Sequence, residues 1–229
     1  MKQNTYEIEK NIEKILRDTP TGFLTPNIVN KITNKLKKNT YQKYIPYEDA
    51  EKICLYKNNP PKIKLLKITS PLSLKHQTIL GCLFSLNITS ESFGDIINNN
   101  NSFYIYTLDN ITDLIKNELP TKIYPLNIEE IDINYLKDYK KNYQEIKIIT
   151  SSLRIDTICS KLINTNRNNI QTLIKNNNIL LNNEIIKKNE QLLKINDTFS
   201  IKKYGKYRFK EIIGQTKKEN YIIIIQKYI

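Results

Sequence analysis

Apolar residues along this chain recur with two periods, and the switches between them set out its elements. From Glu7 to Arg17, Ile8, Ile12, Ile15 and Leu16 fall on one face at helical spacing, which predicts an amphipathic helix. A second helix is expected over Asn27–Leu36, with Thr25 as its cap and Pro26 at its first position. A third is expected over Tyr47–Lys57, before Asn58-Asn59-Pro60-Pro61 breaks the chain. Strict alternation then takes over in Lys62–Thr69 and predicts a strand. Leu74–Leu86 returns to helical spacing, Phe93–Ile97 and Ser102–Leu108 read as strands joined by an Asn-rich turn, and Asn110–Leu119 reads as a helix. Lys122–Ile128 reads as a strand that tolerates Pro125 only at an edge. The order is β-α-β-β-α-β, the split βαβ arrangement.

Beyond Ile128 the pattern fades into a polar stretch to Asn142, expected as a linker. Gln144–Thr150 is an expected strand, followed by two short helices, Ile155–Ile163 and Asn168–Asn176, across a tight turn. Short strands are expected around Ile179–Leu181, Glu184–Lys187, Thr198–Lys202, Tyr207–Ile213 and Tyr221–Lys227. The fold class is therefore α+β in three parts. These are a small, mainly helical N-terminal domain (residues 1–60), an RRM-like middle domain (61–147) and a C-terminal module (148–229).

Charge changes this picture by placing a partner. The 229 residues carry a net charge of +13, and Thr150–Ile229 holds 15 basic against 6 acidic residues. A third of the chain thus has most of the excess, which points to a polyanion on the C-terminal part. A membrane surface or simple solubility would account for the charge as well. The charged start MKQNTYEIEKNIEKIL has no signal-peptide core, and the longest apolar cluster, Ile222–Ile225, is far too short to span a membrane. Cys54, Cys82 and Cys159 are far apart, so neither a disulfide framework nor a zinc site is expected.

Residues with catalytic potential are few. There is no phosphate-cradling glycine loop and no metal-ligand spacing, so no cofactor and no metal are expected. His76 is the only histidine, and Gln77 and Thr78 beside it supply no partner for general-base work. Asp95 could approach it, but a structural, helix-capping or hydrogen-bonded His76 is the expectation. Tyr104 and Tyr106 share one face of their strand, where they would either stack bases or pack into a core.

The segment Leu153–Ile201 resembles the S-four RNA-binding domain. Arg154-Ile155-Asp156 stands at the family's Arg-Leu-Asp opening, and Asn166-Arg167 starts the second helix. Ile174-Lys175-Asn176-Asn177 ends that helix, Ile179-Leu180-Leu181-Asn182-Asn183 forms the next strand, and Asn196-Asp197 holds the Gly-Asp place. Three family glycines are thus asparagines: Asn177, Asn183 and Asn196. Asn is the residue that best tolerates positive φ after Gly, so the same turns are expected. The tail, Ser200-Ile201-Lys202-Lys203-Tyr204-Gly205-Lys206-Tyr207 and then Gly214-Gln215-Thr216-Lys217-Lys218, is similar to the end of the YlmH family, also called RqcP. His76-Gln77-Thr78-Ile79-Leu80-Gly81, Gly94-Asp95-Ile96 and Phe23-Leu24-Thr25-Pro26 extend the likeness towards the N-terminus.

The resemblance implies an RNA-binding protein of ribosome-associated quality control. Such a protein contacts large-subunit ribosomal RNA and tRNA on a stalled, split ribosome and supports C-terminal alanine tailing without covalent chemistry. A monomer in a bacterial cytoplasm is implied, with a plastid homologue as an alternative. The expected RNA contacts are Arg154, Arg167, Lys161, Lys175, Asn182, Lys187, Lys202, Lys206, Lys217 and Lys218. Asp156 is expected to cap the first helix or to orient Arg154, and an Arg154–Asp156 salt bridge is the competing role for that arginine. Two other functions share the module. A pseudouridine synthase would need a catalytic Asp on a downstream loop, whereas the Arg-x-Asp here opens the module itself. A heat-shock-type RNA chaperone would leave the first two-thirds of the chain without a role.

Overall fold

A computed structural model describes residues 2–229. The chain forms two compact units, one ending at Lys140 and one starting at Lys141.

The first unit opens with α1 (Lys2–Leu16) and α2 (Pro26–Thr33), which bury Ile8, Ile15, Val29 and Ile32 against Leu24 and Leu55. Thr25 is the N-cap residue of α2 and Pro26 its first position, as the sequence predicts, although the Thr25 hydroxyl makes no capping bond. Two short strands follow, β1 (Gln42–Tyr44) and β2 (Cys54–Tyr56), paired antiparallel. The helix expected over Tyr47–Lys57 is absent, and tertiary pairing explains why. The backbone of this stretch is taken by neighbours, Thr21 N donating to Leu55 O and Leu24 N to Ile53 O.

The central sheet comprises β3 (Ile63–Thr69), β4 (Phe93–Asn99), β5 (Ser102–Leu108) and β6 (Asn127–Ile131), with α3 (His76–Ser85) and α4 (Asp109–Lys122) as crossovers. Its strand order β4-β5-β3-β6, antiparallel throughout, is that of the split βαβ arrangement. Alternation sends Leu66, Ile68, Phe103 and Ile105 to the face under α3 and α4, where Ile79, Leu83, Ile115 and Leu119 meet them. The expected strand Lys122–Ile128 is displaced. The helix before it runs through Pro120 to Lys122, and Pro125 lies in the connecting loop.

The other face of the sheet is covered as well. Leu65, Ile97, Tyr104 and Tyr106 pack against Phe23, Tyr47, Cys54 and Leu136. Residues 128–139 are therefore not a linker, because β6, Ile133, Leu136 and Tyr139 complete this second core, and only the stretch around Lys140 and Lys141 joins the two units. The same core joins Phe23 and Tyr47 to the sheet, so no division between compact units falls at residue 60. Two glycines make the contact tight. A Cβ on Gly22 would stand 2.3 Å from Glu91 O, and one on Gly94 would stand 3.1 Å from the Phe23 ring.

The second unit contains β7 (Tyr143–Thr150), α5 (Ile155–Leu162), α6 (Arg167–Lys175), β8 (Ile179–Leu181), β9 (Glu184–Ile185), β10 (Thr198–Ile201), β11 (Gly205–Gln215) and β12 (Tyr221–Tyr228). They form one sheet in the order β7-β12-β11-β10-β8-β9. Ile155, Ile158, Cys159, Ile170 and Ile174 of the two helices are buried against Ile148, Phe199, Phe209, Ile223 and Ile225.

Candidate nucleic-acid interface

Local backbone chemistry holds α5 and α6 in place. Asn166 caps α6, its Oδ1 accepting from Asn169 N at 2.8 Å. Both helices end in the same hydrogen-bond pattern. After α5, Thr165 N donates to Ser160 O and Asn164 N to Lys161 O; after α6, Asn178 N donates to Leu173 O and Asn177 N to Ile174 O. These are Schellman motifs, which place a left-handed residue just beyond the helix, and Asn164 and Asn177 fill that position at φ 50° and 57°. Asn182 and Asn183, at φ 50° and 63°, form the two-residue turn between β8 and β9, and Asn196 has φ 71°. All three asparagines at family glycine places thus adopt the expected left-handed backbone. Asp197 then ties the turns together, accepting from Asn182 Nδ2 at 2.8 Å and from Lys194 N at 2.7 Å.

This frame presents the exposed side of α6. Arg167, Gln171 and Lys175 follow at four-residue steps, so they line one face and span about 12 Å. Beside them lies a groove of about 630 Å³ whose walls include Asn168, Thr172, Asn177, Lys187 and Asn189. Lys202 N donates to Asn178 O, which brings the β10–β11 turn to the C-terminal end of α6. Arg167, Lys175, Lys187 and Lys202 are all exposed. The arrangement offers one guanidinium fork, several ammonium groups and a row of amides, a donor set suited to phosphate oxygens and sugar hydroxyls.

The two arginines singled out by sequence differ sharply. Arg154 Nε and Nη2 donate to Asp156 Oδ1 and Oδ2 at 3.0 and 2.7 Å, and Nη2 also approaches Glu190 at 3.5 Å. The Asp156 side chain is 1% exposed and that of Arg154 32%. Burial pushes the Asp156 carboxyl up, but Arg154 and Thr157 outweigh it and hold it below its ordinary value. The Arg154 fork is therefore spent inside the protein. By contrast, the Arg167 side chain has no hydrogen bond or ion pair among the described residues, and it is exposed.

Other expected contacts are distributed unevenly. The Asn182 amide is committed on both sides, to Asp197 and to Thr198 N. Lys206 Nζ lies 5.3 Å from the centre of the Tyr228 ring, a cation–π contact. Lys161 is exposed in the last turn of α5. Lys217 and Lys218 sit at the tip of the β11–β12 hairpin, at the opposite end of an eleven-residue strand from Lys202 and Lys206. At about 3.4 Å per residue, that strand separates the two groups by roughly 35 Å.

Elsewhere the structure narrows the options. Tyr104 is 3% exposed and stacked on Tyr135, and Tyr106 is fully buried, stacked on Tyr47 with its hydroxyl donating to Ile133 O. Neither ring can receive a base. His76 is exposed at the first position of α3, where Lys75 is the N-cap residue, and its side chain has no hydrogen-bond partner among the described residues, so of the expected structural roles neither the cap nor the hydrogen bond is found. Asp95 is engaged by Tyr47 Oη at 2.6 Å and Glu51 N at 2.8 Å. Burial pushes the Cys54 thiol up to about 12 and the Cys159 thiol higher still, which keeps both as inert thiols.

Comparison with known proteins adds to this geometry. Residues 58–137, the central sheet with its helices, match the family described as "Putative RNA-binding domain in YlmH". Over 157 residues the chain is 24% identical to "Ribosome-associated protein quality control protein P2" of Bacillus subtilis (strain 168), covering 68% of this chain. Both matches are likenesses to the YlmH/RqcP family. The match spans 61% of the length of that Bacillus relative. A solved structure, "Cell division protein ylmH from Streptococcus pneumoniae", aligns with 60% of this chain and 94% of its own at a TM-score of 0.49 and 18% identity. Among the described residues, no helix is long and apolar enough to cross a membrane.

Proposed function

We propose that this YlmH/RqcP-like chain binds structured RNA through the exposed face of α6, as part of ribosome-associated quality control. The observation that carries the reading is the Arg167–Gln171–Lys175 row beside the Lys187 groove, whose arginine is free while Arg154 is tied to a buried carboxylate. The helix-ending asparagines and the β8–β9 turn support an S-four type of module for residues 148–229, and the split βαβ strand order supports an RRM-like middle. The RNA is that of the large ribosomal subunit together with tRNA, held on a split, stalled ribosome so that alanines can be added to the nascent C-terminus. The chain acts as a monomer in the bacterial cytoplasm and by holding RNA, not by catalysis. Ultraviolet crosslinking in native lysate, followed by sequencing of the bound RNA, tests this. Large-subunit RNA with tRNA is the expected recovery, and messenger RNA alone overturns the reading.

A further inference from the structure

The family match to an RNA-binding domain falls on residues 58–137, yet both faces of that sheet are closed by the chain itself. An RNA ligand of this unit therefore needs another surface. The outer side of α4 is unsuited, since Asp109, Asp113 and Glu118 are exposed there and would repel phosphates. One end of the sheet is different. There the segment after β3 meets the β4–β5 turn and the α4–β6 loop, with Thr69 paired to Asn127, Ile68 to Phe103 and Ser70 Oγ donating to Pro125 O at 2.7 Å. Residues 69–76, 97–103 and 121–128 contain no Asp or Glu, and they carry Lys75 and Lys122, both exposed.

Two clefts of about 360 and 350 Å³ open on either side of Ser70 and Pro71. The walls of the first include Leu72, Ser73, Asn98 and Asn101, and the second is walled by Tyr124 and Asn127 among others. Tyr124 is 85% exposed and Leu72 49%. An aromatic ring standing in solvent beside Pro125 and Leu126, with a cleft of amides and hydroxyls across Ser70 and Pro71, has the means to stack a base and bond its neighbour's edge. A duplex keeps its bases stacked inside and cannot use that ring, whereas an unpaired strand can. We propose that this end of the sheet binds a short single-stranded RNA segment. One base stacks on Tyr124, its neighbour enters the cleft of Asn98 and Asn101, and Lys75 and Lys122 face the backbone. A protein segment is the weaker fit, because the first cleft offers polar groups where an apolar anchor would need a dry wall.

The inference rests on the RNA-binding reading above, and one experiment separates the two. Fluorescein-labelled heptauridine and a fluorescein-labelled RNA hairpin are titrated by anisotropy with the full chain, Tyr124→Ala, Tyr124→Phe and Arg167→Ala, after circular dichroism shows each to be folded. Tyr124→Ala is expected to weaken heptauridine binding about tenfold, the effect of one lost stacking contact, and to leave the hairpin unchanged. Tyr124→Phe keeps the ring and should bind like the parent, while Arg167→Ala should weaken the hairpin more than the heptamer. Heptauridine binding that ignores Tyr124→Ala, or that falls equally with Tyr124→Phe, overturns the stacking site. A parent that binds the hairpin but not heptauridine also overturns it and leaves the α6 reading standing; a parent that binds neither overturns both.

Discussion

Replacing Asp156 by alanine should destabilise the second unit while leaving the exposed side of α6 in place. The carboxylate is almost wholly buried and receives two bonds from Arg154, at 3.0 and 2.7 Å, besides one from the Thr157 hydroxyl at 3.2 Å. A hydrogen bond to a charged group contributes roughly 1.5–3 kcal/mol. Arg154 is partly exposed and, once released, can turn to water, so no buried charge is stranded and the sum stays well below the two-bond maximum. A loss of about 2–3 kcal/mol is expected on that basis. Urea unfolding of the full chain at neutral pH, followed by far-ultraviolet circular dichroism, measures it as a lower midpoint for the transition assigned to residues 141–229. The pH dependence carries a definite sign. The folded carboxyl is held below its ordinary value, so its stabilisation is complete above the unfolded pKa and disappears as pH falls through the folded one. The parent should therefore lose part of its advantage over Asp156→Ala only under acid. A loss below about 0.5 kcal/mol at neutral pH, the usual range for a surface change, would refute the argument that this pair is structural.

Three further outcomes follow from named contacts. Arg167→Ala should cost roughly 1–3 kcal/mol of binding to large-subunit RNA, with Arg167→Lys already weaker than the parent and Lys161→Ala or Lys187→Ala acting mainly through salt dependence. Titration at two salt concentrations checks this, and parent-like binding by Arg167→Lys would mean that charge alone suffices. Gly22→Ala drives a methyl group into the Glu91 carbonyl and should destabilise the first unit by about 2–3 kcal/mol, read as a lower thermal midpoint. Asn177→Gly and Asn183→Gly should be close to neutral, while valine at either site should cost about 1–2 kcal/mol, because only the β-branched side chain resists positive φ.

How much the sequence reveals depends on whether order arises locally. Both helices of the second unit and the left-handed Asn177, Asn183 and Asn196 are legible because helix ends and turns are set by a few adjacent residues. The order of the central sheet is legible from the change of period between β3, α3, β4, β5 and α4. Residues 47–57 and 128–139 are not, since Tyr47, Cys54, Ile133, Leu136 and Tyr139 follow neither a helical nor a strand period. They gain their places only by packing on a sheet face built from other segments. The grip of Arg154 on Asp156 is legible in the sequence only as a role competing with RNA contact, and local backbone decides it. Side chains two apart do not meet on a helix, but Arg154 precedes α5 in extended backbone at φ −65° and ψ 139°, which lets its side chain turn back onto the first turn.

The four arginines of this lysine-rich chain put the candidate site in proportion. Arg17 pairs with Glu13, Arg154 with Asp156, and Arg208 donates to Asn196 Oδ1 at 3.0 Å. Each of those three forks has an internal acceptor. Arg167 alone among them has none within the described residues, and it stands at the exposed start of α6, next to the amides of Asn168 and Asn169. A lysine would satisfy a general need for positive charge there, as 32 lysines do elsewhere in the chain. A planar fork with no partner of its own is available to an acceptor supplied from outside, and a phosphate or a base edge presents the paired oxygen or nitrogen acceptors it fits. The excess charge of residues 150–229 then has a division of labour. On the proposed reading, distributed lysines would draw the polyanion in through long-range attraction that salt weakens, and Arg167 would fix the register once it has arrived.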